Sequence, residues 1–212
     1  MKAFGASDIE KWQFEHINLP EIWSNHIGDL CKGTVIHVRG NSGEGKTSYL
    51  FQLTKVLAAN FGRVLYNSVE QGKSRSIQAE YQRQNMAEVS GKWALANRDC
   101  KQFAGFMKKA RMYRVLVLDS VDWAKWSLEQ IMELIDRYGK TKIIILVTWA
   151  RLNEVNNAIM HASDVKVNVK DFQAEMVSRL GGNQPYIIWE DGYRARKGKK
   201  SNKPTNQTNL FK

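Results

Sequence analysis

The stretch Gly40-Asn41-Ser42-Gly43-Glu44-Gly45-Lys46-Thr47 decides the fold of this 212-residue chain. It fits G-x-x-x-x-G-K-[ST], the pattern of a phosphate-binding loop, or P-loop. An apolar, β-branched run over 34–38 precedes it and a helical pattern follows it, which is the strand–loop–helix context that the motif requires. The alternative is a glycine-rich turn that matches by chance.

Each part of the loop has a chemical task. The glycines let successive backbone N–H groups point at phosphates, and the N-terminus of the following helix adds positive charge. Lys46 would neutralise the β- and γ-phosphates, and the Thr47 hydroxyl would bind Mg²⁺. The predicted nucleotide contacts are Gly40, Asn41, Ser42, Gly43, Glu44, Gly45, Lys46, Thr47 and Ser48.

The composition is that of one α/β domain, with 43% hydrophobic residues. No apolar run is long enough to span a membrane, and the N-terminus lacks the apolar core of a signal peptide. Cys31 and Cys100 have no metal-ligand spacing. We therefore expect a cytoplasmic protein with both thiols reduced and no membrane partner.

The net charge of +11 is concentrated at the C-terminus, where residues 193–212 contain seven basic residues and no acid. We predict that this segment is a flexible, disordered basic tail. Such a tail favours a polyanionic partner, most often nucleic acid. The alternative is a tail that only increases solubility.

Strand and helix patterns alternate along residues 34–148, which predicts a mostly parallel, twisted sheet flanked by helices. Residues 1–33 lead into this core, and 73–89 read as one polar helix. After a polar, irregular stretch over 150–162, three strand-like runs predict an antiparallel extension at one edge. We place the whole folded core within residues 1–192.

Two acids stand at strand ends. Asp119 ends a continuously apolar strand and would hold Mg²⁺; the alternative is an acid that merely begins a loop. Glu70 ends the strand that we place next to the P-loop strand, where it could take a proton from the water that attacks the γ-phosphate. The alternative for Glu70 is a solvated loop residue. Ligands bind at the carboxyl ends of parallel strands, so Gly40, Glu70, Asp119 and Thr148 should meet.

These strand ends carry a family resemblance. The segments Ser68-Val69-Glu70, Leu116-Val117-Leu118-Asp119-Ser120 and Val147-Thr148 together resemble the RecA-fold ATPases. The bacterial RadA branch is the most similar, with the DnaB-type helicases and KaiC-like ATPases nearby, and Ile159 to Val165 looks like a leucine-glutamate-histidine…aspartate stretch of RadA proteins. The resemblance covers about residues 18–190. It implies a RecA-like P-loop NTPase that binds ATP and Mg²⁺ and acts as an ATPase.

The resemblance also implies roles for single residues. Lys46 binds phosphates, Glu70 is the catalytic base, Asp119 is the Walker B acid and Thr148 senses the γ-phosphate. The segment 177–181 falls where RadA proteins have lysine-asparagine-arginine-phenylalanine-glycine. Arg179 matches that arginine, although a valine replaces the lysine, and it would reach a neighbouring subunit's nucleotide; the alternative is a surface arginine.

The same resemblance points to DNA. Residues 149–157 would occupy the place of the second DNA-binding loop, whereas we expect the first such loop to be absent because Asp122 runs almost directly into a helix. Trp149 would stack on bases or pack beneath its loop. The candidate DNA contacts are Trp149, Arg151, Asn153, Lys197, Lys199 and Lys200. Without a zinc module or a protease-like domain, the chain resembles a minimal core, as expected of a phage or mobile element.

The last residues hold a separate signal. Gln207-Thr208-Asn209-Leu210-Phe211 resembles the short peptides that dock on the bacterial sliding clamp. In such peptides two apolar side chains, here Leu210 and Phe211, fill a pocket, and a glutamine, here Gln207, forms hydrogen bonds nearby. The alternative is coincidence, since the motif is short.

The sequence thus predicts an ATPase that binds single-stranded DNA as a homo-oligomer, a hexamer or a filament, in recombination or replication. The alternative is a nucleotide-dependent regulator or loader switched by a protein partner. A small-molecule kinase is disfavoured because no lid region with clustered arginines lies between the strands.

Overall fold

The fold is built on one eight-stranded sheet. The computed structural model describes residues 3–109 and 112–201, and the strand order in this part is β3-β2-β4-β5-β1-β6-β7-β8. The strands are β1 Val35–Arg39, β2 Val64–Ser68, β3 Trp93–Ala96, β4 Val115–Asp119, β5 Ile143–Thr148, β6 Val165–Lys170, β7 Gln173–Ser178 and β8 Tyr186–Ile187. Neighbours from β3 to β6 are parallel, whereas β7 and β8 pair antiparallel. The predicted parallel α/β sheet with an antiparallel C-terminal extension is confirmed.

Helices cover both faces of the sheet. They are α1 Ala6–Ile9, α2 Glu21–Ile27, α3 Lys46–Asn60, α4 Arg75–Arg83, α5 Cys100–Lys109, α6 Leu128–Tyr138, α7 Glu154–Ala162 and α8 Glu190–Ser201, with a 3₁₀ helix at Met86–Val89. Leu50 and Leu57 of α3 pack on one face together with α2, and Phe103, Ile131 and Ile159 of α5, α6 and α7 pack on the other. The central strands are continuously apolar because both faces are covered.

Three predictions about the chain path are wrong. First, β4 and β5 lie between β1 and β2, so the strand that precedes Glu70 is not next to the P-loop strand. Second, residues 73–89 divide into α4 and a 3₁₀ helix, because Asn85 between them is left-handed, with φ 49°. Third, residues 150–162 are not irregular throughout, because α7 begins at Glu154.

The C-terminal segment also differs from the prediction. Residues from 193 onward continue α8 as far as Ser201, so this part of the basic tail is helical. Acidic side chains in its first turn, Glu190 and Asp191, favour the helix by complementing its dipole. Gln207, Leu210 and Phe211 lie outside the described residues. Across the described part of the chain, no helix combines the length and apolar character needed to cross a membrane.

Candidate nucleotide site

The P-loop joins β1 to α3 through glycines in conformations that other residues rarely adopt. Gly43 and Gly45 have φ values of 76° and 102°, and a Cβ at Gly40 would overlap with the carbonyl of Val169 in β6. Gly45 is also the N-cap of α3, so the helix begins at Lys46 with its first N–H groups at the loop. The ammonium of Lys46 donates hydrogen bonds to the carbonyls of Gly40 at 2.7 Å and Asn41 at 2.9 Å.

A cleft of about 300 Å³ opens above the loop, a volume within the range of ligand sites. Beyond the loop itself, residues from several strand ends and helices line it: Glu70, Gln71, Glu80, Arg83, Asp119, Trp149 and Phe172. The fold therefore brings Lys46, Thr47, Glu70 and Asp119 together in one cleft. This happens although β2 and β1 are not neighbours, because all parallel strands end at the same edge of the sheet.

Asp119 is the most perturbed acid of the cleft. Its side chain is buried, and Tyr66 beneath it donates a hydrogen bond of 2.6 Å to Oδ2. Burial raises the pKa of Asp119 to about 6; the Glu70 charge adds to this, whereas the Tyr66 hydrogen bond and the Lys46 charge oppose it. Burial likewise lowers the pKa of Lys46, while Asp119 and Glu70 act to raise it. A buried carboxylate of this kind suits a bound cation.

Glu70 lies on the exposed turn after β2. The turn is fixed at its start, where the Val69 N–H donates to the carbonyl of Asp119 at 2.8 Å. Its next residue, Gln71, donates from Nε2 to the Thr47 hydroxyl at 3.4 Å. Glu70 therefore has solvent on one side and the phosphate-binding residues on the other, as a base that deprotonates water requires.

Thr148 is not brought into the cleft. It is fully buried at the end of β5, its hydroxyl donates to the Trp149 carbonyl at 3.1 Å, and His37 Nε2 lies 2.8 Å from the same hydroxyl oxygen. Because that hydroxyl has one proton, the imidazole must donate, so Nε2 of His37 carries the hydrogen. Thr148 does not line the cleft in this structure, and its contact with a γ-phosphate stays a prediction.

The loop after β5 is short and fixed by one carboxylate. Asp122 accepts hydrogen bonds from the Trp149 N–H at 2.8 Å and from the side chains of Asn153 and Asn156 at 3.3 and 3.1 Å. Asn153 also caps α7 by accepting from the Asn156 N–H. The predicted loop of 149–157 therefore ends at 153, because this cap starts the helix early.

Within that loop, Trp149 is 43% exposed and lines the nucleotide cleft. It is therefore not packed beneath the loop. Arg151 is exposed, and Asn153 is engaged in the cap. Lys197 is exposed on α8, whereas the side chains of Lys199 and Lys200 lie outside the described atoms.

Arg179 lies at the opposite end of the sheet. It lines a cavity of about 830 Å³ together with Thr34, which precedes β1, and Asp164, which precedes β6. The Arg179 N–H donates to the carbonyl of Asp164 at 3.0 Å. The arginine is thus far from the P-loop of its own chain, and any contact with a nucleotide would be in a neighbouring copy.

Several residues that line the cleft or support it from beneath were not predicted. Tyr66 sits in an apolar strand where only its hydroxyl marks it out, and Gln71 directly follows Glu70. Arg83 and Glu80 form an ion pair of 2.7 Å on α4, with the Glu80 side chain buried. Phe172 lies in the β6–β7 turn and belongs to no motif. No sequence signal distinguishes these residues, because their positions depend on how α4 and β7 pack.

No protein-family model and no curated protein matches the chain. Solved structures do match it. Flagellar accessory protein FlaH from Methanocaldococcus jannaschii aligns with a TM-score of 0.62 and 17% identity, over 81% of this chain and 92% of FlaH. The KaiC-like protein PH0186 from Pyrococcus horikoshii OT3 aligns with a TM-score of 0.59 and 16% identity, over 80% of this chain and 94% of that one.

The fold is RecA-like. At these identities the comparisons establish the fold alone, and the likeness to the RadA and DnaB branches stays a prediction. The RecA-like fold accounts for the position of the cleft. The carboxyl ends of β1, which leads into the P-loop, and of β4, which ends in Asp119, lie at the same edge of the sheet.

The residues of this RecA-like cleft fit a magnesium–nucleotide complex. Thr47 and Asp119 supply the hydroxyl and carboxylate oxygens that Mg²⁺ prefers, and both line the cleft. The hydroxyl of Ser68, opposite Asp119 in the sheet register, is buried and has no hydrogen-bond partner among the described residues. A hydrated cation bound at Asp119 would offset the cost of that buried carboxylate.

Proposed function

We propose that this chain binds ATP with Mg²⁺, hydrolyses it, and acts on single-stranded DNA as a homo-oligomer. The observation that carries the ATPase part is the convergence of Lys46, Thr47, Glu70 and Asp119 in one cleft. The RecA-like fold supports it, since these ATPases place their phosphate site at the same sheet edge.

The chemistry follows from the roles of the side chains. Lys46 and the loop N–H groups bind the phosphates, and Thr47 with Asp119 would hold Mg²⁺, which neutralises charge on the phosphoryl oxygens. Glu70 accepts a proton from water as the water oxygen bonds to the γ-phosphorus and the bond to ADP breaks. Arg179 would act on the nucleotide of a neighbouring copy, a contact that requires the oligomer.

The DNA part of the proposal is supported by charge and exposure. Trp149 offers an exposed aromatic face beside the cleft, and base–aromatic stacking is a common mode of single-strand binding. Arg151 and Lys197 are exposed cations on the loop and on α8. The clamp-like peptide at Gln207, Leu210 and Phe211 remains part of the proposal as a docking peptide for a sliding clamp.

A second candidate is a nucleotide-dependent switch controlled by a protein. The observation that favours it is the loop after β5, which spans only five residues, 149–153, and is held by Asp122. A short, fixed loop has less reach along DNA than a long one. This candidate predicts slow turnover that DNA does not change and that a protein partner stimulates.

ATPase turnover with and without single-stranded DNA separates the two candidates, and mass determination with bound nucleotide gives the oligomer. We expect Lys46→Ala to lose nucleotide binding and Glu70→Gln to bind ATP but lose turnover by at least about 100-fold. Glu154→Gln, which changes an exposed acid on α7, is the matched control. Protein without affinity for any nucleoside triphosphate would overturn the proposal.

The clamp contact needs its own test. A protein lacking residues 207–212 should no longer co-purify with the sliding clamp, while its ATPase activity stays unchanged. Equal pull-down by the shortened and full chains would remove this part of the proposal.

A further inference from the structure

Helix α8 presents a cationic surface close to the nucleotide cleft. Arg194, Arg196 and Lys197 are all exposed, and the sequence adds Lys199 and Lys200 within the same helix. All three described cations have neighbours: Arg194 contacts Glu190 at 2.9 Å, Lys197 lies over the ring of Tyr193 at 4.9 Å, and Arg196 lies over the ring of Phe172. Four acids lie nearby, Glu190 and Asp191 in the first turn of the helix and Asp171 and Glu175 near Lys197, whereas residues 194–200 contain five basic residues and no acid.

Phe172 connects the P-loop to this helix. A Cβ added to Gly45 would lie 3.0 Å from the Phe172 ring, so the ring rests directly on the loop. The backbone is tied to the loop as well, because the Phe172 N–H donates to the Glu44 carbonyl at 3.1 Å and the Asp171 N–H donates to the Glu44 carboxylate. Both the ring and the backbone of Phe172 therefore contact the part of the P-loop formed by residues 44 and 45.

The other side of Phe172 contacts α8. Its ring meets Trp189 edge to face at 5.1 Å, and Gly192 in the first turn of α8 packs so closely that a Cβ there would overlap with both rings. The Arg196 guanidinium lies over the Phe172 ring at 5.9 Å. The Phe172 carbonyl accepts from the Ile188 N–H at 2.8 Å, which fixes the chain just before the helix.

The backbone at this junction is unusual. Asp171 and Phe172 are consecutive non-glycine residues with positive φ values of 51° and 61°. Such conformations persist only where the surrounding contacts impose them. Here the contacts come from the P-loop on one side and from β8 and α8 on the other, so the turn is sensitive to both.

We infer that α8 is a binding surface for the phosphates of a single-stranded nucleic acid, and that Phe172 couples this surface to the nucleotide site. The inference deepens the proposed function and rests on it. Binding at either end fixes the same side chain, so nucleotide and nucleic acid should favour each other's binding. Thermodynamic linkage requires both affinities to change by the same factor.

The test is the affinity of the full chain for a fluorescent oligo(dT) of about 20 nucleotides, measured by anisotropy with and without Mg–ATPγS. We expect the nucleotide to raise the oligonucleotide affinity by about tenfold. The affinity for a fluorescent ATP analogue, measured with and without oligo(dT), should rise by the same factor. Equal affinities in the presence and absence of nucleotide would overturn the coupling.

Two variants probe Phe172 from opposite sides. Phe172→Ala removes the ring, and Gly192→Ala introduces a methyl group against the same ring from the α8 side. In both we expect the tenfold ratio to fall to about onefold to threefold. Phe14→Ala, which removes an exposed phenylalanine near the far cavity, should keep the wild-type ratio. Circular dichroism shows whether each variant folds, and if one does not, the other still tests the coupling. A folded variant whose affinity ratio with and without nucleotide equals that of the wild type would overturn the inference.

The surface itself is tested by charge removal. Arg196→Ala combined with Lys197→Ala should weaken oligo(dT) binding at least tenfold and reduce the slope of log affinity against log salt by about 1.4, since each phosphate contact contributes roughly 0.7. The control variant, Lys101→Ala combined with Lys140→Ala, removes two exposed cations elsewhere. It should change both the oligo(dT) affinity and the salt slope by less than the α8 variant does. Unchanged binding by the α8 variant would overturn the surface assignment.

These outcomes separate the inference from the proposed function. If the chain binds ATP and oligo(dT) but the α8 variant behaves as wild type, the inference fails and the proposed function stands. If it binds no nucleotide, the proposed function fails. Binding to vesicles of anionic phospholipid is measured alongside binding to oligo(dT). A chain that binds the vesicles but not oligo(dT) would overturn nucleic acid as the partner of α8.

Discussion

The hydroxyl of Tyr66 donates a 2.6 Å hydrogen bond to Oδ2 of Asp119, and both side chains are buried between β2 and β4. This contact opposes the burial that raises the pKa of Asp119. The tyrosine thus favours the ionised form of this acid. Burial of Tyr66 itself, followed by the charge of Asp119 and the hydrogen bond to it, raises the pKa of the phenol well above its usual value.

Tyr66→Phe should move the acidic limb of the ATPase pH profile to higher pH. A hydrogen bond to a charged group contributes about 1.5–3 kcal/mol, so its loss should shift the limb by about one pH unit or more. The loss of activity should be large at pH 6 and small at pH 8.5. Initial ATPase rates across this pH range measure the shift, with Tyr138→Phe as the control. Identical pH profiles of Tyr66→Phe and the wild type would contradict the role of Tyr66.

Asp119→Asn should stabilise the protein when magnesium and nucleotide are absent. The pKa of Asp119 in the folded state is about 6, above the usual 3.8 of an aspartate, so the carboxylate destabilises the fold as pH rises through this interval. Asparagine removes that cost, and the free energy of unfolding at pH 8 should increase by up to about 3 kcal/mol.

The gain from Asp119→Asn should disappear below about pH 3.8, where the acid is protonated in both states. Denaturant midpoints at pH 8 and at acidic pH measure it. Asp136→Asn on the exposed side of α6 should change stability by less than about 0.5 kcal/mol. A destabilised Asp119→Asn protein at pH 8 would show that the buried charge is already compensated.

His37→Gln should make the protein less sensitive to acid. Burial, followed by the charge of Arg39, lowers the pKa of His37 to about 4 from 6.5. The folded state therefore resists protonation, so stability is full above pH 6.5 and is lost as pH falls towards 4. This loss amounts to up to about 3 kcal/mol.

Glutamine at position 37 can still donate to Thr148 but does not titrate. Its free energy of unfolding should fall less than that of the wild type between pH 7 and pH 4.5, measured by urea titration. His161→Gln, at an exposed position on α7, should follow the wild-type curve. Parallel losses in His37→Gln and wild type would assign the acid sensitivity to other groups.

Asp122→Ala should loosen the loop that carries Trp149. The substitution removes the acceptor of the Trp149 N–H and of the Asn153 side chain, and one of the two acceptors of the Asn156 side chain. The loss should cost about 1–3 kcal/mol. Amide hydrogen exchange at 149–153 should accelerate at least about tenfold, and DNA stimulation of the ATPase should fall. Glu129→Ala, at an exposed site, is the control, and unchanged exchange would show that Asp122 does not hold the loop.

The strand patterns predicted the sheet class because continuous apolar runs such as 115–118 are typical of parallel strands whose two faces are both covered by helices. They did not predict the strand order. Nothing in the residues of β2 indicates that β4 and β5 separate it from β1, since order depends on which crossovers pack together. The start of α7 was also missed, because the Asn153 cap was hidden in a stretch that is polar throughout.

The sequence alone determined that there is a phosphate-binding loop and which acids could serve it, because the glycine spacing imposes a backbone shape that few structures other than a P-loop adopt. The tertiary structure decided the environment of those groups. It placed Tyr66 under Asp119, turned Thr148 towards His37 and set Phe172 between the loop and α8. Such relations join residues far apart in the chain, and they arise only when helices and strands pack against one another.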